Sequence, residues 1–360
     1  MLTVLLPTKD RPADCASQLR FLRDIRLPYP ILVTDSSAPD AALQVRTAAE
    51  GIAKYSHFPA SLRMADKLLR AISEVSTPFT VICPDDDIML ATSIDRALAF
   101  LSANKDYVAA HGYILDLALH GTYVDIHGVS GFTPSIDENT PLRRHYHLMR
   151  RYQPFYWGVF RTDVLRTSLS WAVRLDTIMF RELTVMNTAI LQGKVARLPV
   201  IYQFRSASTS LTPLRESHPL YWFLSSPQSL LTAYRAYRDN LASFIKGASI
   251  RTDHIKSIDD LIDVIHGLFL QKEINPGVLN YAIQRTLGDP LPPVPEPVAW
   301  TGWKDPGRGD QLRPSKQNRR QYVWRANVLC AEPRDEISID NAEIETAERQ
   351  LDCFFCDPVD

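Results

Sequence analysis

Phe79-Thr80-Val81-Ile82-Cys83-Pro84-Asp85-Asp86-Asp87-Ile88-Met89-Leu90 decides how this chain is read. An apolar run ends in three consecutive aspartates and resumes at once. Adjacent carboxylates repel, so their place at the end of a buried strand needs compensation. A hard divalent cation, Mg²⁺ or Mn²⁺, supplies it through oxygen ligands. The bland alternative is a solvated acidic loop.

Working outward, residues 2–6 are a short apolar run followed by Pro7-Thr8-Lys9-Asp10-Arg11-Pro12. This predicts a buried first strand ending in a polar loop. A helix is expected over 13–26, and a second strand over 31–34 that ends in Asp35-Ser36-Ser37. Helices are expected over 40–53 and 61–75, the latter with Leu62, Ala65, Leu68, Leu69 and Ile72 on one face. Residues 79–83 are the next strand and 92–101 the helix after it. Strands alternating with helices predict an α/β fold with a mostly parallel central sheet, helices on both faces, and ligands outside the carboxyl ends of the strands. Three polar clusters fall at those ends: Thr8 to Arg11, Asp35 to Ser37 and Asp85 to Asp87. Neither a dinucleotide GxGxxG nor a GxxxxGK[ST] phosphate loop is present. A nucleotide here needs another grip, and a metal on the aspartates would neutralise its diphosphate.

Residues 107–131 read as two strands around His120-Gly121. The stretch 132–154 carries Arg143, Arg144, His145, His147, Arg150 and Arg151, either a mobile loop over an anion or a solvated helix face. Phe155-Tyr156-Trp157-Gly158-Val159-Phe160 suits sugar stacking or, more commonly, core packing. Helices are expected over 163–192, with Gly193 as a C′ cap, then a strand over 195–202. Three regions follow: 1–215, a helical region 216–290, and 291–360, rich in Pro, Gly and basic residues with an acidic end and read as linker and tail.

The 360 residues are 45% apolar with net charge −1, which disfavours nucleic acid as partner. No apolar run reaches the roughly 18–20 residues of a membrane span, and the first residues do not form a signal sequence. A cytoplasmic protein is expected, with peripheral contact at the inner face of the membrane as an option for the basic run Arg313 to Arg320. Five scattered cysteines do not make a disulfide framework, and Cys353-Phe354-Phe355-Cys356 lacks a second pair to complete a zinc site. Nothing in the chain indicates an oligomeric state.

Four places resemble the GT-A glycosyltransferases of the family-2 type. Val4 to Arg11 resembles their first strand and nucleotide-facing loop. Leu32-Val33-Thr34-Asp35-Ser36-Ser37 is similar to the second strand, whose terminal Asp contacts the nucleobase. Asp85-Asp86-Asp87 resembles the D-x-D metal motif. Arg181-Glu182, followed by Gly193 and Leu198-Pro199, resembles the segment with the catalytic acid. The likeness covers about residues 1–210 and implies a Rossmann-like GT-A domain with a C-terminal helical region. It implies an inverting, metal-dependent glycosyltransferase that moves a sugar from a nucleotide-sugar donor to a hydroxyl of a glycan or lipid-linked glycan. The subgroup is bacterial, tied to surface-polysaccharide synthesis by analogy only.

Carried over residue by residue, the resemblance makes Glu182 the base, with Asp176 in reserve. Asp86 and Asp87 are the metal ligands; Asp87 is the ligand if the motif starts at Asp85, Asp86 if the register slips back. Asp85 orients ribose or sugar, Asp35 and Ser36 face the base, Pro7 and Thr8 line its pocket, and Arg11 belongs to the same loop. Three departures stand out. Lys67 replaces a usual Asn and could pair with the aspartates or phosphate. Only one acid stands at 181–182. No His follows the last core strand closely, so Arg205 is the candidate for the diphosphate. Two rivals are a sugar nucleotidyltransferase, disfavoured because Thr8 to Pro12 has no Gly, and a non-catalytic carbohydrate-binding or scaffold protein, which leaves three strand-end aspartates unexplained.

Overall fold

The computed structural model describes residues 1–121, 123–131, 134–206, 218–252, 255–274, 279–280, 283–284, 287–288, 311–314, 320–325 and 339–355. The chain begins β1 (Leu2–Thr8), α1 (Pro12–Asp24), β2 (Ile31–Asp35), α2 (Pro39–Ala49), β3 (Lys54–His57), α3 (Met64–Ser73), β4 (Phe79–Ile82), β5 (Asp87–Met89) and α4 (Ala91–Ala103). It continues β6 (Tyr107–His120), β7 (Tyr123–Gly131), α5 (Pro141–Arg150), β8 (Val159–Arg161), α6 (Thr162–Ala172), α7 (Ile178–Gln192) and β9 (Lys194–Ser206). Helices α8 (Pro219–Ser225), α9 (Pro227–Gly247) and α10 (Ile258–Glu273) follow, then β10 (Gln311–Pro314), β11 (Gln321–Trp324) and α11 (Asn341–Phe355). Helices α1, α2, α5, α8 and α9 each open on proline, whose missing N–H costs nothing in the first turn.

The sheet runs β10-β11-β7-β6-β8-β4-β1-β2-β3, with β9 joining β6 and carrying β5 on its other side. Its β3-β2-β1-β4 portion is wholly parallel, as alternating strands and helices predict. Strand β8 then enters antiparallel between β4 and β6. Successive residues of β1 face opposite sides: Leu5 joins one apolar cluster, while Leu2, Val4 and Leu6 join the other. The first cluster is capped by α3 and by α5 through α10, the second by α1, α2, α4 and α11. Every residue of β1 and β2 is buried, so the polar side chains at their carboxyl ends emerge from a rigid base.

In four places the structure corrects or narrows what the sequence predicts. Gly193 does end α7, but its backbone is extended (φ −172°), not left-handed. Glycine is needed there for space: a Cβ would lie 2.3 Å from Val108 Cγ1 and 3.0 Å from the Asp106 carbonyl oxygen. The basic stretch is helix α5, whose buried Arg144 caps the end of α7, donating to the carbonyls of Ile190 (2.7 Å) and Leu191 (3.2 Å). Phe155 and Phe160 are core residues stacked 5.8 Å apart, not a sugar platform.

Fourth, the stretch read as linker and acidic tail adds β11 in parallel beside β7 and lays α11 along α1 and β9. Its acids act as internal acceptors. Glu343 takes the Ile201 N–H at 2.9 Å, Glu348 the Trp324 indole N–H at 2.9 Å and Asp352 the Tyr322 hydroxyl. Gln350 Oε1 takes the first N–H of α4, from Ala91, at 2.8 Å. Cys330, Cys356, residues 291–295 and 316–319 of the Pro-rich and basic runs, and residues 207–210 after the last core strand lie outside the described residues. Cys15 and Cys83 are buried thiols. Among the described residues no helix is long and apolar enough to cross a membrane.

Candidate active site

The three polar strand ends meet at one rim. Register places Thr8 beside Asp35 and Pro7 beside Thr34 at the ends of β1 and β2. Thr8 Oγ1 donates to Asp85 Oδ2 at 2.6 Å, tying the β1 loop to the aspartate triplet. Lys67, on α3, reaches up between the two strand ends and donates to the Thr8 carbonyl (2.7 Å) and Ser36 Oγ (3.0 Å). Its ammonium is almost fully buried. Burial pulls its pKa down to about 8 against the attraction of Asp35 and Asp85.

The three aspartates have different surroundings. Asp85 is buried with both oxygens engaged, Oδ2 by Thr8 and Oδ1 by Arg11 Nη2 at 2.9 Å. Burial nevertheless pushes its carboxyl up to about 6. Asp86 is more exposed and is held through Oδ2 by the other arm of Arg11. Asp87 turns away into β5, accepting from Gln203 Nε2 (2.6 Å) and the Ser206 N–H (3.1 Å). Burial, then repulsion from Asp86, pushes its carboxyl up to about 7. Asp85 and Asp86 lie in the bend before β5 and share Arg11, whereas Asp87 is the first residue of the strand and takes its partners from β9.

Asp35 departs from expectation. The resemblance has it reading the nucleobase edge, yet it is fully buried. Its Oδ1 accepts the Ser37 N–H at 2.8 Å, an Asx turn, and its Oδ2 the Tyr55 hydroxyl at 2.9 Å. It therefore shapes the loop from below. Ser36 is likewise buried, bridged by Lys67 to Thr8.

Glu182 sits near the start of α7. Tyr152 donates its hydroxyl to Glu182 Oε1 at 2.8 Å. Burial raises the carboxyl pKa, with Tyr152 and Arg205 opposing and Glu273 adding to the rise. Glu182 has neither Arg181 nor Lys194 for a partner. Arg181 turns inward to the Leu175 carbonyl and Asp66, and Lys194 pairs with Asp106. Asp176 is withdrawn as a reserve base: it is 93% exposed and forms a surface ion pair with Arg63 at 2.7 Å. Arg205 connects the two halves of the site. It stands opposite Asp87 in the β5–β9 pairing, and its charge acts on both Asp87 and Glu182.

Among the described residues no three His, Cys, Asp or Glu side chains converge to form a protein-only metal cage. The donor set still fits a hard cation. Mg²⁺ is commonly held by one or two carboxylates with substrate phosphates completing its shell. Asp86 or Asp87 supplies such a carboxylate, and the buried Gln203 Oε1 beside Asp87 has no hydrogen-bond partner. Tyr55, Gln203 and Tyr152 were not foreseen from sequence. Each holds a site carboxylate from a different element, and no local pattern marks such a contact.

No protein-family profile matches the chain, and no curated protein matches it. Among solved structures the fold is similar to residues 1–349 of S. aureus TarS in complex with UDP-GlcNAc, at 17% identity and TM-score 0.47, over 80% of this chain and 74% of that one. It is also similar to glucosyl-3-phosphoglycerate synthase from Mycobacterium tuberculosis in complex with Mn²⁺, UDP-glucose and phosphoglyceric acid. That likeness has 13% identity and TM-score 0.39, over 70% of this chain and 81% of that one. At these scores the likenesses carry no inference about this chain's chemistry.

Proposed function

We propose that this chain is a metal-dependent, inverting glycosyltransferase that moves a sugar from a nucleotide-sugar donor to a hydroxyl of a glycan or lipid-linked glycan, in surface-polysaccharide synthesis. The observation that carries the reading is Arg205. It faces Asp87 across the β5–β9 pair and also acts on Glu182, so a strand-end carboxylate cluster and a separate half-buried carboxylate share one cation. A group-transfer site needs such a division of labour, one pole for the leaving group and one for the nucleophile.

The donor lies over the rim of β1 and β2. Pro7, Thr8, Asp35 and Ser36 shape the floor beneath the nucleoside, and Lys67 fixes both loops from below while adding positive potential. Arg205 faces the diphosphate, where a guanidinium can bridge two phosphate oxygens. Asp86 or Asp87 would hold a divalent cation, which when bound neutralises charge on the departing diphosphate. Arg11 pairs with Asp85 and Asp86, and Asp85 orients the ribose or sugar. Glu182 accepts the proton of the acceptor hydroxyl as the new C–O bond forms. The bond to the nucleoside diphosphate breaks on the opposite face, and its electron pair leaves with the diphosphate. One displacement with one base inverts the anomeric centre.

The test is calorimetric titration of UDP, GDP, dTDP and CMP with and without Mn²⁺, on wild type and Asp87→Ala. We expect one nucleotide to bind in a metal-stimulated manner and the stimulation to vanish in Asp87→Ala. Absent or metal-indifferent binding across the panel refutes the proposal. Glu182→Gln should keep donor binding and lose transfer by ~10²–10⁴-fold, the usual worth of a general base.

A further inference from the structure

Glu182 is held from outside the sheet. Tyr152, two residues past α5, donates to Glu182 Oε1 at 2.8 Å. The Tyr152 ring is buried and packs edge-to-face on Phe269 of α10, with centroids 5.4 Å apart. Its backbone carbonyl accepts from Lys272 Nζ, also on α10. Helix α10 therefore grips Tyr152 at both ring and backbone.

We infer that Tyr152 is a positioning residue for Glu182, and that helix α10 acts on the reaction by fixing its phenol. The inference rests on the reading of Glu182 as the base. With Oε1 committed to the phenol, Oε2 is the oxygen that receives the acceptor's proton. A hydroxyl donor also favours the ionised carboxylate over the neutral acid.

The groups facing Glu182 divide by sign. Tyr152 and Arg205 favour its charge, whereas Glu273 of α10 opposes it, and the charge of Glu182 in turn acts on Tyr156. Glu273 is itself paired with Lys272 at 3.8 Å, and His218 Nε2 stands 3.7 Å from it. Burial favours the neutral acid of Glu182, and the phenol's donation is the leading influence opposing it.

The test follows the Glu182 side-chain carboxyl by ¹³C NMR in glutamate-labelled full-length protein, the signal being assigned by its loss in Glu182→Gln. Tyr152→Phe keeps the ring and its packing and removes only the hydroxyl. The midpoint should rise by roughly one to two pH units, the equivalent of one hydrogen bond to a charged group. An unchanged midpoint in a folded Tyr152→Phe overturns the inference. If that variant does not fold, Phe269→Leu, which removes the ring contact on Tyr152 and changes no charge, carries the same readout: an upward shift supports the inference and no shift overturns it. Full transfer activity in Glu182→Gln would instead remove the base reading while leaving the titration result intact, so the two failures are distinguishable.

Discussion

Replacing Lys67 by Met keeps the length and apolar stem of the side chain but removes its charge and its donors to Thr8 and Ser36. In the folded protein the lysine pKa falls to about 8 from 10.5, with burial the leading cause. The unfolded chain therefore binds more protons between these values, and stability rises as pH climbs through that window. The whole interval is worth about 3 kcal/mol at 1.36 kcal/mol per pKa unit. Between pH 7.5 and 9.5 the linkage relation leaves about 2 kcal/mol. Urea unfolding of wild type and Lys67→Met at those two pH values isolates the contribution, because every other titrating group is common to both. Wild type should gain about 2 kcal/mol on Lys67→Met as pH rises. Parallel pH profiles would show that Lys67 is not held buried and charged, and the account of the rim would fall with it. The same variant separates the β1 and β2 loops, so nucleoside diphosphate affinity should drop at pH 7.5 even where the fold survives.

Other perturbations test the packing around the site. His111, His145 and His266 are buried, and burial lowers each to about 4 from 6.5. Their contribution to stability is complete above 6.5 and is lost as pH falls toward 4, by about 1.4 kcal/mol per pH unit for each. His145→Gln should flatten the acid limb of a denaturation profile, and an unaltered limb would count against its being neutral in the fold. Gly193→Ala should lower stability by about 1–3 kcal/mol, because its Cβ meets Val108 and a backbone oxygen. The paired change Gly193→Ala with Val108→Ala should recover part of that loss. No recovery would place the strain elsewhere.

Local pattern reaches far in this chain. The alternation of short apolar runs with helical periodicity is enough to predict a parallel core and to place Thr8, Asp35 and Asp85 at one rim, because strand polarity is the same for β1, β2 and β4. It does not reveal β8, inserted antiparallel between β4 and β6, since the aromatic residues at 155–160 have no strand period of their own. Nor does it reveal β11 or α11, whose contacts with β7 and α4 span some two hundred residues or more of chain.

The candidate site divides in the same way. That three adjacent aspartates need an opposing charge follows from electrostatics and was legible at residues 85–87. Which carboxylate faces where was not. Asp85 turns to Thr8 and Arg11, Asp87 to Gln203 and Ser206, and Asp35 is enclosed by Tyr55. Glu182 and Asp176 are both carboxylates on one segment, and only packing sends one beneath Tyr152 and the other into solvent. Sequence alone determined which chemical groups the rim contains, because strand ends are set by local periodicity. The tertiary structure decided their burial and partners, because a side chain's environment is made by residues distant in the chain.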